Sequence, residues 1–153
     1  MISVSSSNAV KRTGNTILAA YLVLKQDDQI CLLLRKNTGY CDGQYGLIAG
    51  HVEDGESATA AMIREAEEEA GIKLVISQLK VVHIIHRRTN RLGMDIFFEC
   101  TSWAGPVKNM EPDKCEKLDF FPLSRLPQNT IGYIVDVLQA VSRNEFYSEA
   151  GWY

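Results

Sequence analysis

Residues 50–72 read GHVEDGESATAAMIREAEEEAGI, and they crowd four glutamates, Glu65, Glu67, Glu68 and Glu69, into five consecutive positions. Ser57 is a good helix N-cap and Gly71 suits the left-handed position after a helix end, so the spacing predicts a helix between them. At about 100° per residue, Glu65, Glu68 and Glu69 share one arc of that helix, with Met62, Ile63, Ala66 and Ala70 in the adjoining arc and Glu67 pointing away. Like charges one turn apart repel by about 0.2 to 0.5 kcal/mol per pair, so the cluster needs something to offset it. Water and Arg64 supply one answer. A hard divalent cation, which takes carboxylate oxygens, water and phosphate oxygens, supplies another.

Outward from this helix, residues 17–24 (ILAAYLVL) and 29–36 (QICLLLRK) are apolar runs separated by a polar turn, and they predict two adjacent strands buried on both faces. A glycine-rich connection, NTGYCDGQYGLIAG, leads into the quoted stretch. Residues 79–88, 94–103 and 117–123 predict three further strands, the first two joined by TNRLG. Ile131, Ile134, Val135, Leu138 and Val141 stand at helical spacing in residues 130–144 and predict a second amphipathic helix. Helices interrupting a mixed sheet give an α/β class.

The frame of the stretch is Gly50, five residues, Glu56, seven residues, Arg64-Glu65, an apolar residue, one residue, Glu68-Glu69, one residue, Gly71 and an apolar residue. It resembles the Nudix box, although Ile48-Ala49 stand where many members of that family have Pro-Gly. The resemblance implies an α/β/α sandwich with a mixed central sheet. It implies hydrolysis of a diphosphate linkage in a nucleotide with Mg²⁺, or Mn²⁺ in its place. Glu68 and Glu69 become metal ligands, Glu65 a ligand or the general base, and Arg64 the clamp on these carboxylates. Glu56 and Gly71 are structural members of the box, and Gly50 places a backbone carbonyl toward the metal. The likeness extends with less specificity over residues 15–127, where a further acidic residue beyond the box often reaches the metal; Glu111 is the first candidate and Glu116 the second, Glu116 also lying within reach of substrate.

Arg35 closes a strand where a guanidinium suits phosphate, and Tyr45, with Phe120 or Phe121, offers a face on which a base stacks. The phenylalanines read more simply as core. His83 and His86, three apart on a strand, point to opposite faces and do not share a metal. His51 has no assigned role, and Cys115 lacks a partnered histidine and reads as inert.

At 153 residues with a formal net charge of −3 and a pI near 5.6, the chain is sized for a single domain over residues 15–153 behind a flexible stretch at 1–14, and it lacks the basic surface that nucleic acid demands. Four scattered cysteines without a CxxC pair read as reduced cytosolic thiols, and no membrane span is expected. No proline lies between Gly71 and Gly105 and no tyrosine between Gly46 and Gly132; such residues mark ADP-ribose and dinucleoside polyphosphate hydrolases. The SQPWPFPxS mark of NADH hydrolases is also missing. A nucleoside triphosphate or related nucleotide, cleaved to monophosphate and pyrophosphate, is the leading expectation, with ADP-ribose hydrolysis and a non-cleaving nucleotide sensor as alternatives. The apolar FYSEAGWY covers either a neighbour, as in a homodimer, or the chain's own cleft.

Overall fold

The computed structural model describes residues 14–153. The flexible stretch expected at 1–14 therefore falls, but for Gly14, outside the described residues. The predicted hairpin forms from β1 (Ile17–Gln26) and β2 (Gln29–Arg35), paired antiparallel across a turn in which Asp27 adopts a φ of 55°. The glycine-rich connection, read from sequence as loop, contains two short strands, β3 (Tyr45–Gly46) and β4 (Ile48–His51). β4 runs antiparallel along β1 with Gly50 opposite Ala20.

Helix α1 (Ala58–Ala70) begins where the sequence requires it. The Ser57 side chain accepts from the Ala60 N–H at 3.1 Å, a cap whose loss costs about 1 kcal/mol. Gly71 ends the helix at a φ of 70°, its N–H donating to the Glu67 carbonyl at 3.0 Å.

β5 (Lys80–Arg88), β6 (Leu92–Cys100) and β7 (Cys115–Pro122) follow. β6 starts two residues earlier than its apolar run, because Leu92 and Gly93 still pair with Arg88 and Arg87. β1 pairs in parallel with β6, β6 antiparallel with β5, and β7 antiparallel with β2, so the sheet is mixed. Helix α2 (Gly132–Ser142) comes next, then β8 (Tyr147–Ala150), which lies parallel to β5. This last strand puts the FYSEAGWY segment at the sheet edge, where the Trp152 indole N–H donates to the His86 carbonyl at 3.1 Å.

The two helices cover opposite faces. Ala20, Leu22 and Leu24 of β1 pack toward α1 with Met62 and Ala66, while Ala19, Tyr21 and Val23 pack toward α2 with Ile134 and Leu138. Alternation along one doubly buried strand thus produces the α/β/α sandwich. Met62 is fully buried, which is worth about 1.5 to 3 kcal/mol relative to an exposed side chain. Among the described residues no helix is long and apolar enough to cross a membrane.

Candidate active site

The apolar stripe of α1 faces the sheet, and this rotation sets the carboxylate stripe against β4. Arg64 is the hub. Its Nη2 donates to Glu56 Oε1 at 2.7 Å and to the His51 carbonyl at 3.1 Å, its Nε to Glu56 Oε2 at 3.2 Å, and its Nη1 to Glu65 Oε1 at 2.7 Å and Glu68 Oε2 at 3.2 Å. Glu56 also accepts from the Glu53 N–H at 2.8 Å, and the Arg64 hydrogen bonds hold its carboxyl below the usual carboxylate range. Glu67, as its position foretold, leaves the group and pairs with Lys73.

Gly50 sits directly beneath this cluster. A Cβ there would lie 2.1 Å from both Cδ and Oε1 of Glu65, so only glycine lets the helix carboxylate rest on β4. One strand position away, the Ala49 N–H donates to Glu69 Oε2 at 2.9 Å. Burial pushes the Glu69 carboxyl well up, and the Glu65 charge adds to it; burial likewise raises Glu65 against the pull of Arg64, with Glu68 and Glu111 contributing repulsion.

Glu111 arrives from a distant loop that is sewn to the end of α1. Lys108 N–H donates to the Ala70 carbonyl at 2.9 Å and Met110 N–H to the Glu69 carbonyl at 3.2 Å. As a result Glu65, Glu68, Glu69, Glu111 and Gly50 line one cavity of about 360 Å³. Among the described residues no three His, Cys, Asp or Glu side chains already stand gathered round a single point. The reason is local: Arg64 draws Glu65 and Glu68 to itself, and Glu69 is held by the Ala49 amide. The donor set is nonetheless all oxygen, and repulsion from neighbouring carboxylates adds to the burial that raises Glu65 and Glu69. That is the chemistry a hard divalent cation offsets, so the residues fit Mg²⁺ or Mn²⁺.

A second cavity of about 440 Å³ opens on the α2 side of the sheet and shares Arg35, Ala49 and Gly50 with the first. Arg35 stands between them, its Nε donating to the Tyr40 carbonyl at 2.7 Å and its Nη2 to Thr38 Oγ1 at 3.0 Å. Tyr133 closes the second cavity, its hydroxyl 2.9 Å from that of Tyr21 and its ring centroid 4.3 Å from the Arg87 guanidinium carbon. Arg87 in turn donates from Nε to Asp95 Oδ2 at 2.6 Å, a pair with side chains only 2 % and 1 % exposed.

The structure does not bring Tyr45 or Glu116 to either cavity. Tyr45 is buried on β3 with its ring against Phe121, centroids 5.0 Å apart, and Glu116 is exposed on β7. Phe120 stacks on Trp103 within the α1-side core. His83 is buried between the Glu145 carbonyl and Ser148 Oγ, whereas His86 packs on Trp152. The sequence reading passed over Tyr40, Tyr133, Arg87 and Arg91, since each is unremarkable in its own segment and they meet only through the sheet.

Residues 15–137 match the family model described as the NUDIX domain. An ADP-ribose pyrophosphatase of Methanocaldococcus jannaschii is 33 % identical over 107 residues, covering 69 % of this chain and 62 % of that protein. A nudix hydrolase of Caenorhabditis elegans is 31 % identical over 101 residues, 65 % of this chain and 26 % of its own length. The chain therefore spans less than two-thirds of either relative. Among solved structures, a MutT Nudix hydrolase of Burkholderia pseudomallei superposes with a TM-score of 0.75 at 25 % identity, covering 82 % of this chain and 98 % of that one. The MutT protein of Methanosarcina mazei gives the same TM-score at 19 % identity, over 87 % and 97 %. The matched segment takes in the glutamate helix, the strand beneath it and the loop that carries Glu111, and by that match the chain belongs to the Nudix family.

Proposed function

We propose that the chain hydrolyses a diphosphate linkage in a nucleoside triphosphate or related nucleotide derivative, releasing a monophosphate and pyrophosphate, in a cytosolic setting where such hydrolysis cleanses the nucleotide pool. The observation that carries this reading is the shared wall of the two cavities: four carboxylates gather on one side of Arg35, and a tyrosine-lined pocket lies on the other. The organic moiety takes the tyrosine-lined pocket, Arg35 contacts the diphosphate, and Glu68, Glu69 and Glu111 hold the metal. When bound, Mg²⁺ or Mn²⁺ supplies charge neutralisation at the phosphate oxygens and a more acidic water.

Glu65 is the base of choice. It is more sheltered than Glu68, 13 % against 52 % side-chain exposure; burial raises its carboxyl, and the Arg64 hydrogen bond opposes that rise and orients the group. A second reading, cleavage of ADP-ribose to two monophosphates, is favoured by the name of the Methanocaldococcus jannaschii relative.

Assays of pyrophosphate and monophosphate release with Mg²⁺ and with Mn²⁺, over canonical and oxidised nucleoside triphosphates and ADP-ribose, separate the two. Pyrophosphate release supports the first reading, and paired monophosphates from ADP-ribose support the second. In either case Glu65→Gln and Glu68→Gln lower kcat by about 10² to 10⁴ with folding intact. Tight nucleotide binding with no turnover of any substrate overturns both and leaves a sensor.

A further inference from the structure

The pocket assigned above to the organic moiety holds more positive charge than a diphosphate hydrolase of neutral nucleosides requires. Arg35, Arg87 and Arg91 all line it, and among the described residues no aspartate or glutamate does. Two of these arginines are accounted for. Arg35 borders the carboxylate cavity, where the diphosphate passes. Arg87 is matched by Asp95 and fixed further by Thr89, whose Oγ1 accepts from Nη1 at 3.1 Å.

Arg91 is not accounted for. It lies in the turn between β5 and β6, half-buried, and among the described residues its side chain makes no ion pair and no hydrogen bond. Its Nε is buried without any acceptor, as is Asp95 Oδ1 without a donor, the carboxylate whose charge answers both Arg87 and Arg91. Burying a guanidinium N–H unpaired is costly, and the partner that best repays it is an anionic oxygen, above all a phosphate, which meets the guanidinium fork through two parallel bonds. A neutral base stacked beside Tyr40 and Tyr133 fills the cavity yet leaves the Arg91 Nε–H without an acceptor and one guanidinium in excess of the Asp95 charge.

We propose that the moiety bound in this cavity carries its own phosphate monoester, separate from the scissile diphosphate, and that Arg91 binds it. The substrate class is then a nucleotide phosphorylated on its ribose as well as joined through the diphosphate. Arg91 determines specificity and takes no part in bond cleavage. This inference rests on the diphosphate hydrolase reading for the orientation of the substrate, and its test uses ligands that contain no diphosphate.

Calorimetric binding of adenosine 2′,5′- and 3′,5′-bisphosphate is compared with that of AMP, and guanosine 3′,5′-bisphosphate with GMP, each pair differing by one phosphate monoester. In the wild-type protein one bisphosphate binds at least about tenfold more tightly than its monophosphate, the scale of one charge-assisted hydrogen bond. In Arg91→Gln the ratio falls to about one, and Arg91→Lys restores part of it, while the melting temperatures of both variants match wild type. Equal affinities in the wild type, no binding of either member of any pair, or a ratio that survives in Arg91→Gln overturns the assignment. A tenfold preference without turnover of any diphosphate substrate upholds it and overturns the hydrolase reading; turnover without the preference overturns this inference alone.

Discussion

Two arginine–carboxylate groupings among the described residues, around Arg64 and around Arg87, stand on opposite sides of the sheet and are governed by different physics. Arg64 is 25 % exposed and shares itself among Glu56, Glu65 and Glu68, with Glu53 a further 3.8 Å contact. It faces more carboxylates than one guanidinium neutralises, in a setting where water screens the excess. Arg87 and Asp95 form a single pair at 2.6 Å, almost entirely dry. A wet cluster with surplus acceptors exchanges partners cheaply, whereas a dry pair does not, because each charge depends on the other for its solvation. The first arrangement suits a site that must release carboxylates to an arriving cation. The second fixes the wall of a pocket whose shape is needed before anything binds.

Breaking the dry pair on one side therefore has the largest effect on stability. Asp95→Asn strands a buried guanidinium and lowers the free energy of unfolding by about 3 to 5 kcal/mol, while the double replacement Arg87→Met with Asp95→Leu recovers most of that loss. In the wet cluster Glu68→Gln costs under about 1 kcal/mol. Urea denaturation of the four proteins decides the matter, and an Asp95→Asn loss no larger than that of Glu68→Gln removes the distinction between the clusters.

The wet cluster has one rigid element, the close approach of β4 to Glu65. Gly50→Ala places a Cβ where the Glu65 carboxyl now rests. The displaced group is the end of a flexible side chain, so stability changes by less than about 1 kcal/mol, but a carboxylate moved by about 1 Å from its working position costs about 10² in kcat. Steady-state kinetics beside a melting curve checks both halves. Normal activity in Gly50→Ala shows that Glu65 works from another position.

The contrast between the clusters also explains what the sequence disclosed. Glu56, Arg64, Glu65, Glu68, Glu69 and Gly50 lie within twenty residues, and helical periodicity plus one adjoining strand brings them together, so local rules suffice. Gly71 and Ser57 mark the helix ends by the same local logic. Tyr21, Arg87, Asp95 and Tyr133 sit on β1, β5, β6 and α2, and the antiparallel β5–β6 pairing, the parallel pairing of β1 with β6 and the packing of α2 together bring them to one place. Nothing in HRRTNRLG distinguishes Arg87 from Arg88, yet the former is buried beneath Tyr133 and the latter is exposed near Trp152. Tyr45 misled for the converse reason: adjacency to the box in sequence placed it near the cleft, while the period-two alternation of a short strand turned its ring into the core. The edge strand β8 has four residues and no strong periodicity, so its pairing with β5 was invisible locally.

The smallest expected effect concerns the hydroxyl pair above the dry cluster. Burial raises the pKa of the Tyr21 hydroxyl, with the nearby Asp95 charge adding to the rise, and burial raises Tyr133 further, with Tyr21 as its next cause. Both phenols thus hold their protons more firmly folded than unfolded, where the value is about 10. Their contribution to stability is complete below that pH and is lost as pH climbs through the folded values, so the slope of stability against pH is negative in the alkaline range. At pH 8 Tyr133→Phe removes one buried hydrogen bond and lowers stability by about 1 kcal/mol. Above pH 10 the variant no longer has that proton to lose, so its stability falls less steeply than wild type and the gap narrows. Cys31, pushed up to about 12 chiefly by burial, is common to both proteins and cancels in the comparison. Urea midpoints measured from pH 8 to 11, with tyrosinate absorbance followed in parallel, give the two curves. If they run parallel, Tyr133 ionises as freely in the folded chain as in the unfolded one, and the α2-side cavity is wetter than the Arg87–Asp95 pair beneath it requires.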